Sequence, residues 1–351
     1  MWSARVVCPD ELTSEERQLW RNACNSDPEL QSPFYSYAFT AAVARVRSLV
    51  KVSILERDGE IVGFLPFQFS NVVRYLLKSA ERVGGDMSDH SGIIGIANFN
   101  LTPRELLRTS RLSAFAFQDL SSLQERYGLS GQRPTLGLRL NLEDGGDAYW
   151  LNLKRFNHGF ISGIERKERQ LAAKCGPVRF VANSTKSDAE TELSRVIRVK
   201  GEQYKRTIGK NLFNESWRRD LLSQLMESRD EQCAAVLSTL YGGDTWLASH
   251  LGIRSKTVLH QWFPVYNVDF ARSSPGHILT KYLISSAENE GYSHFDLGGY
   301  GEYKRQFRPD SYAMSAGIWI SGGLAGLMSH AHQALAWRIT ALHSRLMRRA
   351  D

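Results

Sequence analysis

The stretch from Arg272 to His277, read Arg-Ser-Ser-Pro-Gly-His, has residue types that bind phosphorylated ligands. Ser274, Pro275 and Gly276 lie between a predicted strand and a predicted helix. A helix N-terminus offers N–H groups and the positive end of the helix dipole, and glycine lets phosphate oxygens approach the backbone. Arg272 and His277 add hydrogen-bond donors for a diphosphate. A plain helix start has the same residues, so both interpretations stay open.

A second stretch of this kind runs from Asp296 to Phe307 and reads Asp-Leu-Gly-Gly-Tyr-Gly-Glu-Tyr-Lys-Arg-Gln-Phe. It follows a short apolar strand and combines three glycines with acidic, basic and aromatic side chains. Glycines give the backbone unusual freedom, and loops beside strand ends are common places for sites. The composition indicates a flexible, charged turn at the end of a strand.

Alternating helical and strand patterns position these stretches. In the first half, an Asp-Gly turn at residues 58–59 predicts a hairpin of two strands within 50–70. The other predicted elements there are helices at 13–25 and 33–46, a turn-rich loop at 81–96, a helical stretch at 102–120 and a strand at 135–142. In the second half they are helices at 162–174, 187–209, 214–226 and 278–291, and strands at 178–182, 233–243, 244–256, 257–267, 292–299 and 313–321.

The predicted fold class is therefore α/β, with mixed, mostly antiparallel sheets flanked by helices. A chain of 351 residues is long enough for two domains. We place them at residues 1–148 and 149–320, followed by a basic amphipathic helix at 321–351. Both halves follow the same plan of helices, strands, helix and strand, which hints at an internal duplication.

Composition limits the functional classes. The chain has 44 Lys and Arg against 37 Asp and Glu, a formal charge of +7 that suits an anionic ligand or simply a basic surface. Its cysteines are far apart without a CxxC pair, so we expect reduced thiols and no metal site. They are Cys8, Cys24, Cys175 and Cys233. The N-terminus lacks the apolar core of a signal peptide, and no stretch has the ~20 apolar residues of a membrane helix, so we expect a cytoplasmic protein.

Several common catalytic signatures are missing from the sequence. It has no GxGxxG after a first strand, no GxxxxGK[ST], no HExxH and no GxSxG. Dinucleotide oxidoreduction, P-loop phosphoryl transfer, zinc hydrolysis and α/β-hydrolase chemistry therefore lose their main support.

The second half resembles the acetyltransferase domain of CelD/BcsL-type proteins in the GNAT superfamily, which is associated with bacterial cellulose and exopolysaccharide biosynthesis. The resemblance lies in His-Gln-Trp-Phe-Pro-Val-Tyr-Asn, in Asp-Phe-Ala-Arg-Ser-Ser-Pro-Gly-His and in the segment that ends in Tyr303-Lys304. Position 267 is Asn where this family usually has Asp. Segments upstream extend the resemblance to about residues 30–320. The family is also similar to Fem-type peptidyltransferases, so the resemblance implies tandem GNAT-like, Fem-like domains.

The resemblance implies direct attack of an acceptor amine on an acyl thioester, acetyl-CoA or another acyl-CoA, held between two splayed strands. The stretch of residues 272–277 would bind its diphosphate, and Tyr303 and Lys304 would face the acceptor. His260 has a suitable pKa for the general base, although a lone His in an apolar strand is also a common core residue. The other implied residues are Asp296 and Glu302 as rival bases, Tyr266 or Tyr303 as proton donor to the thiolate, and Asp89, His90 and Tyr266 at the acceptor.

For a family of this kind we expect an N-acyltransferase that acts on an amino sugar or another saccharide precursor. A nucleotide sugar or a lipid-linked saccharide is the expected acceptor, and polysaccharide-biosynthesis proteins are possible partners. Two alternatives remain: Fem-like transfer from aminoacyl-tRNA, for which the basic helix at 166–174 offers a surface, and a degenerate GNAT pair that serves as a binding or regulatory module. Nucleic acid other than tRNA is not expected.

Overall fold

The structure is a computed structural model that describes residues 1–182, 186–323 and 326. The strands are β1 (Trp2–Val7), β2 (Val50–Arg57), β3 (Glu60–Gln68), β4 (Ser79–Glu81), β5 (Ile94–Gly95), β6 (Ala114–Ser121), β7 (Arg133–Asn141), β8 (Val178–Val181), β9 (Ala234–Gly242), β10 (Thr245–Arg254), β11 (Val258–Tyr266), β12 (His294–Gly299) and β13 (Asp310–Ile320). The helices are α1 (Ser14–Ser26), α2 (Tyr37–Val46), α3 (Val72–Leu76), α4 (Pro103–Thr109), α5 (Gly146–Phe156), α6 (His158–Cys175), α7 (Lys186–Ile208), α8 (Ser216–Glu227) and α9 (Pro275–Ser286).

The chain forms two compact units, and their limits differ from the predicted domains. Unit 1 is Met1–Leu136 together with the chain from Tyr312 onward, and unit 2 is Gly137–Ser311. The predicted boundaries lie at 148/149 and 320/321, whereas the chain crosses from one unit to the other inside β7 and inside β13. Apart from residues 321–323 and 326, the predicted C-terminal helix lies outside the described residues.

Unit 1 contains a mixed sheet in the order β1-β2-β3-β4-β6-β13, with β5 beside β3. Its pairs are antiparallel except for β4 and β6, which are parallel. The predicted hairpin is confirmed, since Asp58 and Gly59 join β2 to β3 with φ of 55° and 90°, the left-handed values that a tight hairpin turn requires.

The helix predicted at residues 102–120 is wrong over its second half. α4 ends at Thr109, Arg111 has φ of 56°, and β6 follows. The alternating Ala-Phe-Ala-Phe of this stretch forms a strand because β4 and β13 pair with it on both sides. Tertiary pairing has overridden the local preference here.

Unit 2 repeats the plan in the order β8-β9-β10-β11-β12-β7. Its pairs are antiparallel except for β11 and β12, which are parallel and are linked by α9. A parallel pair needs such a crossover connection. The predicted fold class, mixed and mostly antiparallel sheets flanked by helices, is confirmed.

The helices of unit 2 cover both faces of its sheet. On β10, Ala248 packs in the apolar core with Ile278 of α9, whereas the next residue, Ser249, has its Oγ 3.4 Å from Glu192 Oε2 of α7. Successive side chains of a strand point to opposite faces. Helices α7 and α9 therefore lie on opposite faces of this sheet.

Candidate active site in unit 2

β11 and β12 separate along their length. They pair only at Val258–His294, Leu259–Phe295 and His260–Asp296, although β11 continues to Tyr266 and β12 to Gly299. We call the opening between residues 261–266 and residues 297–299 the β11/β12 split. Backbone groups that border such an opening can form hydrogen bonds with a ligand that lies between the strands.

Each strand has a bulge where the split begins. Between the pairs Ile253–His260 and Leu251–Phe263, β11 contributes one residue more than β10. Between the pairs that Asp296 and Gly298 make with β7, β12 likewise has one extra residue. A bulge bends its strand and leaves one residue unpaired, so the bulges give a physical reason for the split.

The bulge of β12 is fixed by two local features. Gly298 has φ of 72°, which is a left-handed conformation that glycine adopts without strain. Its N–H donates to Asp296 Oδ1 at 2.7 Å. Asp296 therefore holds the turn that directs β12 away from β11.

The start of α9 follows β11 through a short 3-10 turn, Val268–Ser273. Ser274 adopts a left-handed conformation, and its Oγ accepts a hydrogen bond from Lys167 Nζ of α6 at 2.7 Å. A Cβ added to Gly276 would meet only Tyr266 Cδ1 at 3.9 Å. The helix start is thus open, carries a nearby ammonium group and can accommodate an anion.

This part of the chain matches a known domain family. The family described as "Acetyltransferase (GNAT) domain" matches residues 160–305, which include the β11/β12 split and the start of α9. These residues are a GNAT acetyltransferase domain. The protein is accordingly an acyltransferase of the GNAT type. No curated protein sequence matches the chain at a significant level.

Solved structures share the fold over most of the chain. FemX is 13% identical with a TM-score of 0.57, and the match covers 92% of this chain and 98% of FemX. A protein from Agrobacterium fabrum, described as the C-terminal domain of a lysylphosphatidylglycerol synthetase, is 13% identical with a TM-score of 0.51, covering 91% and 96%. A conserved protein from Bacteroides thetaiotaomicron is 8% identical with a TM-score of 0.51, covering 86% and 97%. At these identities the likeness shows a common Fem-like fold.

Two of the predicted catalytic residues of the GNAT domain lie at the closed end of the split. His260 and Asp296 form the last paired position of β11 and β12, with His260 Nδ1 3.5 Å from Asp296 Oδ2. The His260 side chain is fully buried. The short distance is compatible with a role of both residues in proton transfer. The burial of His260 is equally compatible with an ordinary core histidine.

Tyr303 and Lys304 lie in the 3-10 turn Glu302–Phe307 beside the open part of the split. Tyr303 OH donates to Gln261 Oε1 at 3.3 Å, and Lys304 Nζ donates to Leu297 O at 2.5 Å and to Gly299 O at 2.8 Å. These bonds attach the turn to both strands of the split.

Glu302 is separate from these residues. Its side chain is 76% exposed, accepts from Tyr300 OH at 2.6 Å and pairs with Arg305 at 3.3 Å. The hydrogen bond from Tyr300 lowers its pKa. An exposed carboxylate with these partners is a poor proton acceptor for a reaction inside the split.

His277 lies in the first turn of α9, and Tyr266, the last residue of β11, lies next to Gly276. The His277 ring stacks on Tyr303 at 6.4 Å and contacts Phe160 and Phe307 edge-on. Burial, followed by the charge of Lys167, lowers its pKa, so His277 offers an anion the N–H of a neutral ring. Arg272 is exposed in the preceding turn.

Asp89 and His90 belong to unit 1. The His90 ring is buried, with ring centroids 5.5 Å from Tyr35 and 6.2 Å from Tyr312. The charge of Asp89 contributes, after burial, to a raised pKa of Asp119. Their role at the acceptor stays a prediction.

Sequence reasoning missed Lys200 of α7. Its Nζ lies 3.4 Å from Pro264 O of β11, and burial followed by the charge of Lys304 lowers its pKa to about 8. The signal in the sequence is its spacing: Leu193 and Val196 are buried on α7, and position 200 continues that apolar face. A charged residue at such a position is unusual enough to indicate a site.

No helix in the described part of the chain is long and apolar enough to cross a membrane.

The buried His250 of β10 should make the stability of the protein depend on pH. It is fully buried, and within the described residues neither ring nitrogen has a hydrogen-bond partner. Burial, then the charge of His260, lowers its pKa to about 3. Because only the unfolded chain binds this proton between about pH 6.5 and 3, the free energy of unfolding should fall as pH falls below about 6.5.

His250→Leu should remove this dependence, so the wild type should lose about 2 kcal/mol more than the variant between pH 6.5 and 4.5. Urea denaturation at both pH values measures the difference. His158→Leu on the surface of α6 is the control and should keep the wild-type slope. Equal slopes for wild type and His250→Leu would show that the folded protein protonates His250 normally.

Proposed function

We propose that the protein transfers an acyl group, in the first instance acetyl, from acyl-CoA to an amine of a saccharide precursor. The observation that carries this proposal is the β11/β12 split, which opens next to the unobstructed start of α9 inside the GNAT domain. A thioester in the split and an amine beside it would react directly, and proximity would supply much of the rate.

The residues at the split fit a CoA donor. The start of α9, with Gly276, Ser274 and Pro275, and the ammonium of Lys167 would hold the diphosphate. Arg272 and His277 would add donors to it. The backbone of β11 and β12 that borders the split would hold the extended arm of the donor. When bound, the donor supplies the activated acyl group.

The acceptor is proposed from the family resemblance and the basic charge of the chain. An amino sugar on a nucleotide or lipid carrier combines an amine with an anionic diphosphate, which suits a chain of charge +7. Such precursors of exopolysaccharides are made in the cytoplasm, which is therefore the proposed location. Tyr303 and Lys304 would border the acceptor, Tyr266 or Tyr303 would protonate the thiolate, and Asp89 and His90 remain proposed acceptor contacts.

A second candidate is acyl transfer from aminoacyl-tRNA, which the Fem-like fold favours. Exposed Arg166, Arg169 and Lys174 on α6 would meet the nucleic acid. Binding of tRNA would weaken steeply with salt.

The test is thiol release from acetyl-CoA by the purified protein in the presence of a panel of amino-sugar nucleotides, with filter binding of charged tRNA in parallel. We expect turnover with at least one amine and no salt-dependent binding of tRNA. Binding of tRNA without binding of acetyl-CoA would replace the first candidate by the second. Binding of acetyl-CoA without turnover of any amine, hydroxyl or water would favour a regulatory module.

A further inference from the structure

Two lysines flank the open part of the β11/β12 split. Lys200 Nζ reaches Pro264 O of β11 at 3.4 Å, and Lys304 Nζ reaches Leu297 O and Gly299 O of β12 at 2.5 and 2.8 Å. All three carbonyl groups belong to strand residues beyond the paired stretch. One amine is thus attached to each side of the split.

The surroundings of the two amines differ. Lys304 donates to two backbone carbonyls, which stabilise an ammonium group. Lys200 has one long carbonyl contact and the Tyr204 ring at 5.3 Å, and no carboxylate contact is described for it. Burial and the neighbouring charge of Lys304 both lower the pKa of Lys200, to about 8. Lys200 therefore gains and loses its proton near pH 8.

We propose that Lys200 is the proton acceptor in acyl transfer. The inference rests on the proposed function. The acceptor nitrogen forms a bond to the thioester carbon, the carbon–sulfur bond breaks, and the proton on nitrogen passes to the neutral Nζ of Lys200. The thiolate takes up one proton and leaves as the thiol, and Lys200 releases its extra proton to water before the next cycle.

The placement of Lys200 suits this role. It lies on α7, whereas the proposed diphosphate site begins α9 on the opposite face of the sheet. An amine that enters the split from the α7 face would pass Lys200 before it meets a thioester. His260 is buried at the closed end of the split, and Glu302 is exposed with its own partners. Lysine with a pKa near 8 lies in the range that favours general-base catalysis.

The first test measures the protonation of Lys200 directly and needs no acceptor. Trace labelling with acetic anhydride from pH 6 to 11, read by mass spectrometry, gives a titration curve for each lysine. We expect a midpoint near pH 8 for Lys200, and the exposed Lys205 of α7 is labelled in the same samples for comparison. Lys304→Met should move the Lys200 midpoint upward. A Lys200 midpoint near 10 would overturn the proposal.

The second test separates a base from a fixed positive charge. Lys200→Met and Lys200→Arg should each lower kcat at least ~100-fold at pH 8, because arginine keeps its proton. Lys205→Met is the matched control and should leave kcat unchanged. Where no amine is turned over, acetyl-CoA hydrolysis provides the same readout, with water as acceptor. Activity of Lys200→Arg within about threefold of wild type would show that Lys200 acts as a cation and overturn the proposal.

Two measurements keep this outcome distinct from other failures. Lys200→Met should unfold at or above the wild-type temperature at pH 7, because it removes a partly buried charge. Calorimetric titration with acetyl-CoA should give the same affinity for wild type and both Lys200 variants. If the wild type does not bind acetyl-CoA, the proposed function fails, whatever the titration of Lys200.

Discussion

Gly276→Trp is expected to abolish calorimetrically detectable binding of acetyl-CoA. The added Cβ meets only Tyr266 Cδ1 at 3.9 Å, so the backbone accepts the substitution, but the indole would fill the space over the start of α9. A diphosphate would then lose both the backbone approach and the dipole of the helix. We expect Kd to rise at least ~100-fold, which corresponds to about 2.7 kcal/mol. Isothermal titration of both proteins gives the value.

The matched control is Gly159→Trp on α6. Gly159 is also helical, and an added Cβ there would have nothing within 4 Å, so the variant carries the same new side chain at an exposed position of α6. It should bind acetyl-CoA as the wild type does. Equal affinities for Gly276→Trp and the wild type would move the donor away from the start of α9.

Gly298→Val should lower both the stability of the protein and its affinity for acetyl-CoA. Gly298 has φ of 72°, and a β-branched residue in this conformation costs about 1–3 kcal/mol. Relief of that strain would require β12 to lose its bulge, and with it the hydrogen bond to Asp296 Oδ1. We therefore expect about 2 kcal/mol less free energy of unfolding in urea, and weaker binding of acetyl-CoA at a temperature where the variant is folded.

Gly299→Val provides the comparison, because Gly299 follows directly but has no positive φ and nothing within 4 Å of an added Cβ. Its stability should stay within about 0.5 kcal/mol of wild type. If both valine variants unfold alike, the bulge at Gly298 contributes nothing special to the fold of β12.

Local patterns predicted much of the architecture. The Asp58-Gly59 hairpin, the three consecutive strands that became β9, β10 and β11, and the helix that became α9 are found where the sequence places them. These elements depend on short-range signals such as turn residues and apolar periodicity. The stretch at 114–121 was misassigned as helix because its alternating apolar residues became a strand only through pairing with β4 and β13.

The sequence likewise predicted only part of the candidate site. The sequence indicated the start of α9 and the glycine-rich turn after β12, because proline and glycine restrict or free the backbone locally. It also placed His260 and Asp296 on two strands, but that these strands are neighbours and that the two residues meet at the last paired position follows from the pairing of β11 and β12. Register is a property of two strands together.

The sequence by itself determined the elements of this protein, the α/β class and the stretches that can hold an anion. Only the tertiary structure decided that β11 and β12 separate after three pairs, that each carries a bulge there, and that Lys200 lies beside that opening. The physical reason is that strand register, bulges and the burial of a charge all depend on partners that are distant in the chain. The pKa of Lys200 falls to about 8 only because folding withdraws its side chain from water and brings the charge of Lys304 near.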